Sequence, residues 1–171
     1  MVQAGGVDTS SWETANLQQL VRLFERSKEA KQYLFIWDKQ GSVGTFMQYK
    51  GHLVQLGPPT LRAALGQGTI QDVGETARKG FIAAMRSGDN MCLDIDQAKT
   101  NFSAANQEGT WVANQFFDWN WLEQEENYMK YVREDENHGI GGVNPGMGYI
   151  RNAKFGCAIR SGAGDEATLA E

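Results

Sequence analysis

The sequence predicts an α/β fold of three layers, with a mostly parallel sheet of four to five strands between layers of helices. Three observations carry this. Four short apolar runs, YLFIWD, HLVQLG, NMCLDID and KFGCAIR, are bounded by polar or turn-forming residues, as strands buried on both faces are. Longer segments with apolar residues every three or four positions separate them. The two kinds alternate along the chain, and parallel neighbours need crossovers of helix length, so alternation calls for a doubly wound parallel sheet.

Taken in order, residues 1–8 read as a flexible tail, 9–160 as a single domain and 161–171 as a second tail. TSSWETANLQQLVRLFERSKEA reads as an amphipathic helix capped by Ser10 or Ser11, with Glu13 in its first turn. Leu17, Leu20, Val21 and Phe24 form its apolar face. YLFIWD is the first strand, and TFMQYKG after the loop is a short helix closed by Gly51. HLVQLG is the second strand, stopped by Pro58 and Pro59, and Pro58–Gly68 is a connector. The clearest helix is TIQDVGETARKGFIAAMRSGD, ended by Gly88, and NMCLDID follows as a strand. TWVANQFFDWNWLEQEENYMKYVREDE reads as one aromatic-rich helix. The glycine-rich HGIGGVNPGMG is a loop, and KFGCAIR is the last strand.

Composition narrows the function. With 41% apolar and 22% charged residues the chain is expected to fold as a globular body. A net charge of −5 without a basic stripe gives nucleic-acid binding no electrostatic support. Cys92 and Cys157 sit in strand-like contexts and suit buried thiols of a reducing compartment. No export signal is seen at the start, Val2 excludes myristoylation, and no apolar run approaches a membrane span, so a soluble cytoplasmic protein is expected.

The loop DKQGSVGT joins a strand to a helix, which is how a phosphate-cradling P-loop begins. That chemistry needs glycines for close backbone approach, a lysine against the phosphates and a hydroxyl on Mg²⁺. With the hydroxyl aligned on Thr45, Gly44 takes the lysine position, Val43 the second glycine and Asp38 the first. Only the hydroxyl survives, Lys39 lies at the wrong end, and Asp38 brings negative charge to an anion site. Gly41 and Gly44 then serve the turn itself. In MCLDID, Asp94 or Asp96 has the place of a Walker B acid holding Mg²⁺ through water, but an acid at a strand end is more often an ordinary loop-entry residue.

Other chemistry is sparse. His52 and His138 stand far apart and away from the cysteines, which argues against a zinc site, and no metal is expected. No G-x-S-x-G elbow is present. Glu123–Glu126 and Glu134–Glu136 read as solvated helix surface, and no catalytic residue is assigned. The aromatics are denser: Trp111, Trp119, Trp121 and Tyr128 are candidates for a protein interface, although aromatics more often form a layer covering the sheet.

Tyr33 to Asp96 resembles a degenerate P-loop module of the AAA+ type, closest to the non-hydrolysing fifth AAA+ module of dynein heavy chains. The shared features are the strand ending in Asp (LFIWD), the Gln-Gly loop (KQGSVGT), Phe46 opening the helix, YKGHLVQLG, a long helix ending A-x-R-S-G-D, and NMCLDID. KFGCAIR falls where the next core strand belongs. The chain departs from that pattern at Lys39, where proline is usual, and at Thr45, where a basic residue is usual. The resemblance implies a P-loop NTPase type of sheet without a working nucleotide site. It also implies a structural subunit of a multi-protein assembly, of the kind found in ciliary and flagellar axonemes. No cofactor is expected on that reading. The rival expectation is a small nucleotide-binding enzyme, nucleotide kinase-like, using ATP or GTP with Mg²⁺ on a divergent loop.

Overall fold

The computed structural model describes residues 12–139 and 148–165. Four strands form one all-parallel sheet: β1 (Leu34–Trp37), β2 (His52–Gln55), β3 (Asn90–Asp96) and β4 (Gly156–Ser161), in the order β1-β4-β3-β2. The last strand is thus inserted beside the first, with Leu34 opposite Ala158 and Met91 opposite Cys157.

Alternation along each strand divides the core between the two faces of the sheet. Cys92 and Ala158 join Leu20, Phe24, Val43 and Met47 in one buried cluster. That face carries α1 (Leu20–Glu29) and α2 (Ser42–Lys50). Met91, Leu93 and Cys157 join the other cluster, with Val73, Ala77, Phe81 and Met85 of α4 (Ile70–Ser87). Helices therefore cover both faces of a parallel sheet, as the sequence predicts. Among the described residues no helix is long and apolar enough to cross a membrane.

α4 starts on a reciprocal cap, in which the Thr69 hydroxyl accepts from the Asp72 N–H and the Asp72 carboxylate accepts from the Thr69 N–H. It ends at Gly88, whose φ of 80° only glycine adopts without strain. Midway, Gly80 lets α4 lie directly on β2, because a Cβ there would sit 2.3 Å from Val54 Cγ2. Gly80→Ala sets two effects against each other. Helix propensity favours alanine by about 1 kcal/mol, whereas overpacking a closed core costs about 1–3 kcal/mol. A net loss of about 1 kcal/mol is expected in urea unfolding, opposite in sign to the propensity scale.

Three expectations need correction. The cap expected at Ser10 or Ser11 lies outside the described residues, but the helix expected to run on through the next residues is absent there. Trp12–Asn16 is not helical, and Asn16 caps a 3₁₀ turn, Leu17–Gln19, that leads into α1. Asn16 is the better cap because Gln19, three residues on, completes a capping box; Glu13 instead pairs with Arg26. Of the apolar face, Leu20 and Phe24 are buried, while Leu17 and Val21 are exposed. Second, the connector after β2 holds a helix, α3 (Gly57–Ala64), with its prolines in the first turn, where a missing N–H costs nothing.

Third, the aromatic segment is not one helix. It forms α5 (Ala113–Phe116), α6 (Trp119–Glu123), α7 (Glu125–Tyr128) and a 3₁₀ turn, Met129–Tyr131. Asp118 interrupts it by capping α6 through Trp121 N–H, and Gln124 is extended. A straight helix would turn some of its rings to solvent. Breaking it lets Trp111 stack on Phe116 (4.4 Å between centroids), both rings pack on Phe81, and Trp119 reach Tyr33 and Phe155. Arg78 of α4, fully buried, fastens this layer down. It donates to both carboxylate oxygens of Glu75, to both of Glu136 and to the Tyr131 carbonyl.

Residues 1–8, most of the glycine-rich loop (140–147) and the end of the predicted C-terminal tail (166–171) lie outside the described residues. The first residues assigned to that tail are structured: Ser161 closes β4, and buried Ala163 accepts a hydrogen bond from the Trp37 indole.

Candidate functional site

The carboxyl ends of the strands, where open parallel sheets place ligands, bring together Asp38 after β1, Asp94 and Asp96 of β3, and Arg160 of β4. The loop after β1 turns at Gly41, with φ of 75°, and α2 begins at Ser42. This is the strand–loop–helix geometry expected for DKQGSVGT. What fills it is a side chain of the loop itself. The Asp38 carboxylate folds back over the start of α2 and accepts from Val43 N–H at 2.8 Å and from Gln40 N–H at 3.2 Å. These amide donors at the helix N-terminus are the kind that attract an anion, and the chain supplies that anion covalently.

Arg160 closes the site from the sheet side. Its guanidinium donates to Asp94 Oδ1 at 2.8 Å, to Asp96 Oδ1 at 3.1 Å and to the Asp38 carbonyl at 2.6 Å, and its Nε lies 3.4 Å from Asp38 Oδ2. The Arg160 side chain is only 4% exposed. Burial alone would lower its pKa; hydrogen bonds to Asp94 and Asp96 and the charge of Asp38 outweigh that and hold it above the ordinary value. The register with β4 shifts between Asp94 and Asp96. Asp96 itself has φ of 50°, and its backbone oxygen accepts from Gly162 N–H.

The remaining loop residues are accounted for. Gly44 faces Asp94, where an added Cβ would stand 3.2 Å from Oδ2. Thr45, the one Walker-like position retained, is exposed, and its hydroxyl donates to the Gly41 carbonyl of its own helix. Lys39 points away and lies over the Trp37 ring at 4.3 Å. Among the described residues no group of three His, Cys, Asp or Glu side chains is arranged to hold a metal ion. The acids that come closest already share a guanidinium. An open depression of about 500 Å³ lies elsewhere, lined by Lys99, Thr100, Phe102, Ser103, Asn114 and Phe117 among others.

Compared with protein-family models, with curated proteins and with solved structures, the chain matches none. The site is therefore read from its own geometry. The sequence argument picked out Asp38, Gly41, Gly44, Asp94 and Asp96, and the structure brings all five to one place. It missed Arg160, although a signal was there: the arginine that closes the apolar run of KFGCAIR.

The aromatic candidates lie elsewhere. Trp111, Trp119 and Tyr128 are buried, at 0%, 5% and 4% exposure, so they form the layer over the sheet and offer no surface. Trp121, half-buried, packs at a tilt against Tyr131 and carries Lys130 over its ring. Of the histidines, His52 lies on β2 and His138 lies 3.2 Å from Arg86, far from the acid cluster in the chain.

Proposed function

We propose that the chain is a non-catalytic structural subunit of a larger protein assembly, built on a P-loop-like domain whose anion position is filled from within. The observation that carries this reading is the Asp38 carboxylate on the amides of Val43 and Gln40. A nucleotide phosphate in that place would have to displace a covalently tethered anion and leave Arg160 without part of its coordination. No lysine stands ready to compensate, since Lys39 faces outward onto Trp37. The loop thus works as a joint that fastens β1, β3 and β4 to α2. The resemblance to AAA+ modules of dynein type extends this reading to a ciliary or flagellar axoneme, with cytoskeletal proteins as partners.

Titration calorimetry of the full chain with ATP and with GTP, each with Mg²⁺, tests the reading. No binding is expected up to about millimolar nucleotide. Micromolar binding that is lost in Thr45→Ala, an exposed substitution that leaves the acid cluster intact, would reverse it in favour of a small nucleotide-binding enzyme.

A further inference from the structure

We propose that the free edge of β1 is a docking site for an extended, apolar strand of a partner protein, flanked by acidic residues. The hydrogen-bond phase of the strand sets this out. Asp38 N–H donates to the Ser161 carbonyl of β4. Backbone groups alternate along a strand, so Leu34 and Ile36 also face β4, and Phe35 and Trp37 aim their N–H and C=O groups away from the sheet. β1 is an edge strand, and among the described residues nothing pairs with that side. Water satisfies these groups in the free chain, and another strand is the structure that meets donors and acceptors spaced in this way all at once.

The side chains agree with the backbone. β1 reads Leu-Phe-Ile-Trp, with no charge to blunt the edge. Leu34 and Ile36 pack into the core under α1 and α2. On the other face Tyr33 is covered by Phe81, Phe117 and Trp119, but that cover stops short of Phe35, which is 47% exposed and touched by the Trp12 ring. The opposite edge is unlike this one. β2 is packed by α2 and α4 and ends in the exposed amide of Gln55.

The charges select the occupant. Lys31 and Lys39 flank β1 on either side, both exposed, Lys31 in an ion pair with Glu123 at 2.7 Å and Lys39 lying over Trp37. A second copy pairing antiparallel about Ile36 would set Phe35 against Trp37 twice, but it would also bring each Lys39 within two positions of the other's Lys31. Acids at the two ends of the incoming strand meet those lysines favourably, so the chemistry fits a different partner better than a copy of this chain. The inference does not rest on the reading of the loop. Nucleotide binding would overturn that reading and leave this edge as it is.

The probe is a blocked, fluorescein-labelled peptide, Glu-Val-Tyr-Val-Tyr-Val-Glu, titrated into the full chain, with hydrogen exchange followed residue by residue. In the free chain the Phe35 and Trp37 amides exchange fast while those of Leu34 and Ile36 are slow. On adding peptide, Phe35 and Trp37 become protected, with a Kd of about 10–100 μM. The same peptide with lysine in place of both glutamates binds at least about tenfold more weakly, as does the acidic peptide to Phe35→Lys. The inference is overturned if Phe35 and Trp37 are already protected in a monomeric free chain, or if no binding occurs up to about 1 mM. Equal binding of the two peptides overturns it, as does a concentration-dependent dimer abolished by Phe35→Lys.

Discussion

Arg160→Met is expected to destabilise the chain by about 3–5 kcal/mol, the range for removing one partner of a buried ion pair. The reason is what remains. The Asp38 and Asp94 side chains are only 11% and 12% exposed, and without the guanidinium both lose their counter-cation while buried, Asp38 keeping only its amide donors. Asp96, largely exposed, loses little. Urea unfolding of the two chains measures the difference. A second substitution separates charge from packing. In the Arg160→Met background, Asp94→Asn removes a carboxylate that no longer has a partner, and part of the lost stability is expected to return. In the unsubstituted chain the same Asp94→Asn change is destabilising, because it takes an acceptor from Arg160. A loss below about 1 kcal/mol for Arg160→Met would mean that the cluster is solvated and holds nothing together.

Arg78→Met is expected to have an effect of similar size, about 3–5 kcal/mol, with a different signature in pH. Burial raises the pKa of Glu75 and Glu136. Hydrogen bonds and charge from Arg78, with help from Arg133, outweigh that and hold both carboxyls below the ordinary glutamate range. A folded-state pKa below the unfolded one contributes stability that is complete above the unfolded value and is lost as pH falls through the folded one. Urea midpoints of the parent chain should therefore be level between about pH 7 and 5 from this source and drop below the ordinary glutamate value of about 4.3. In Arg78→Met that part of the acid slope is missing. An acid slope identical in the two chains would place the pH dependence elsewhere.

Much of this molecule was legible because its signals are local. NMCLDID predicts β3 residue for residue, and the Thr69 start and Gly88 stop of α4 are both written in capping chemistry. Errors came where long-range packing overrides local preference. TWVANQFFDWNWLEQEENYMKYVREDE reads as a helix, but its seven rings, spread around the helical circle, have to turn inward, and a single helix has only one inward face. The site was half legible. Spacing placed Asp38, Gly41, Gly44 and Asp94 at one end of the sheet. That Asp38 would turn back onto its own helix, and that Arg160 would meet it, depends on a contact spanning 122 residues, which no window of sequence contains.

That separation bears on how the chain reaches its folded state. Among the described residues β1 has one neighbour, β4, and their register joins Leu34 to Ala158. The first strand of the sheet therefore waits for the last. Closing so long a loop is entropically expensive before any contact rewards it, which slows the search for the native arrangement. During synthesis β2, α4 and β3 can assemble as they emerge, whereas β1 stays unpaired until the final stretch of the domain has left the ribosome. A chain stopped shortly before Gly156 would keep most of its helices and lose the strand that joins the two halves of its sheet.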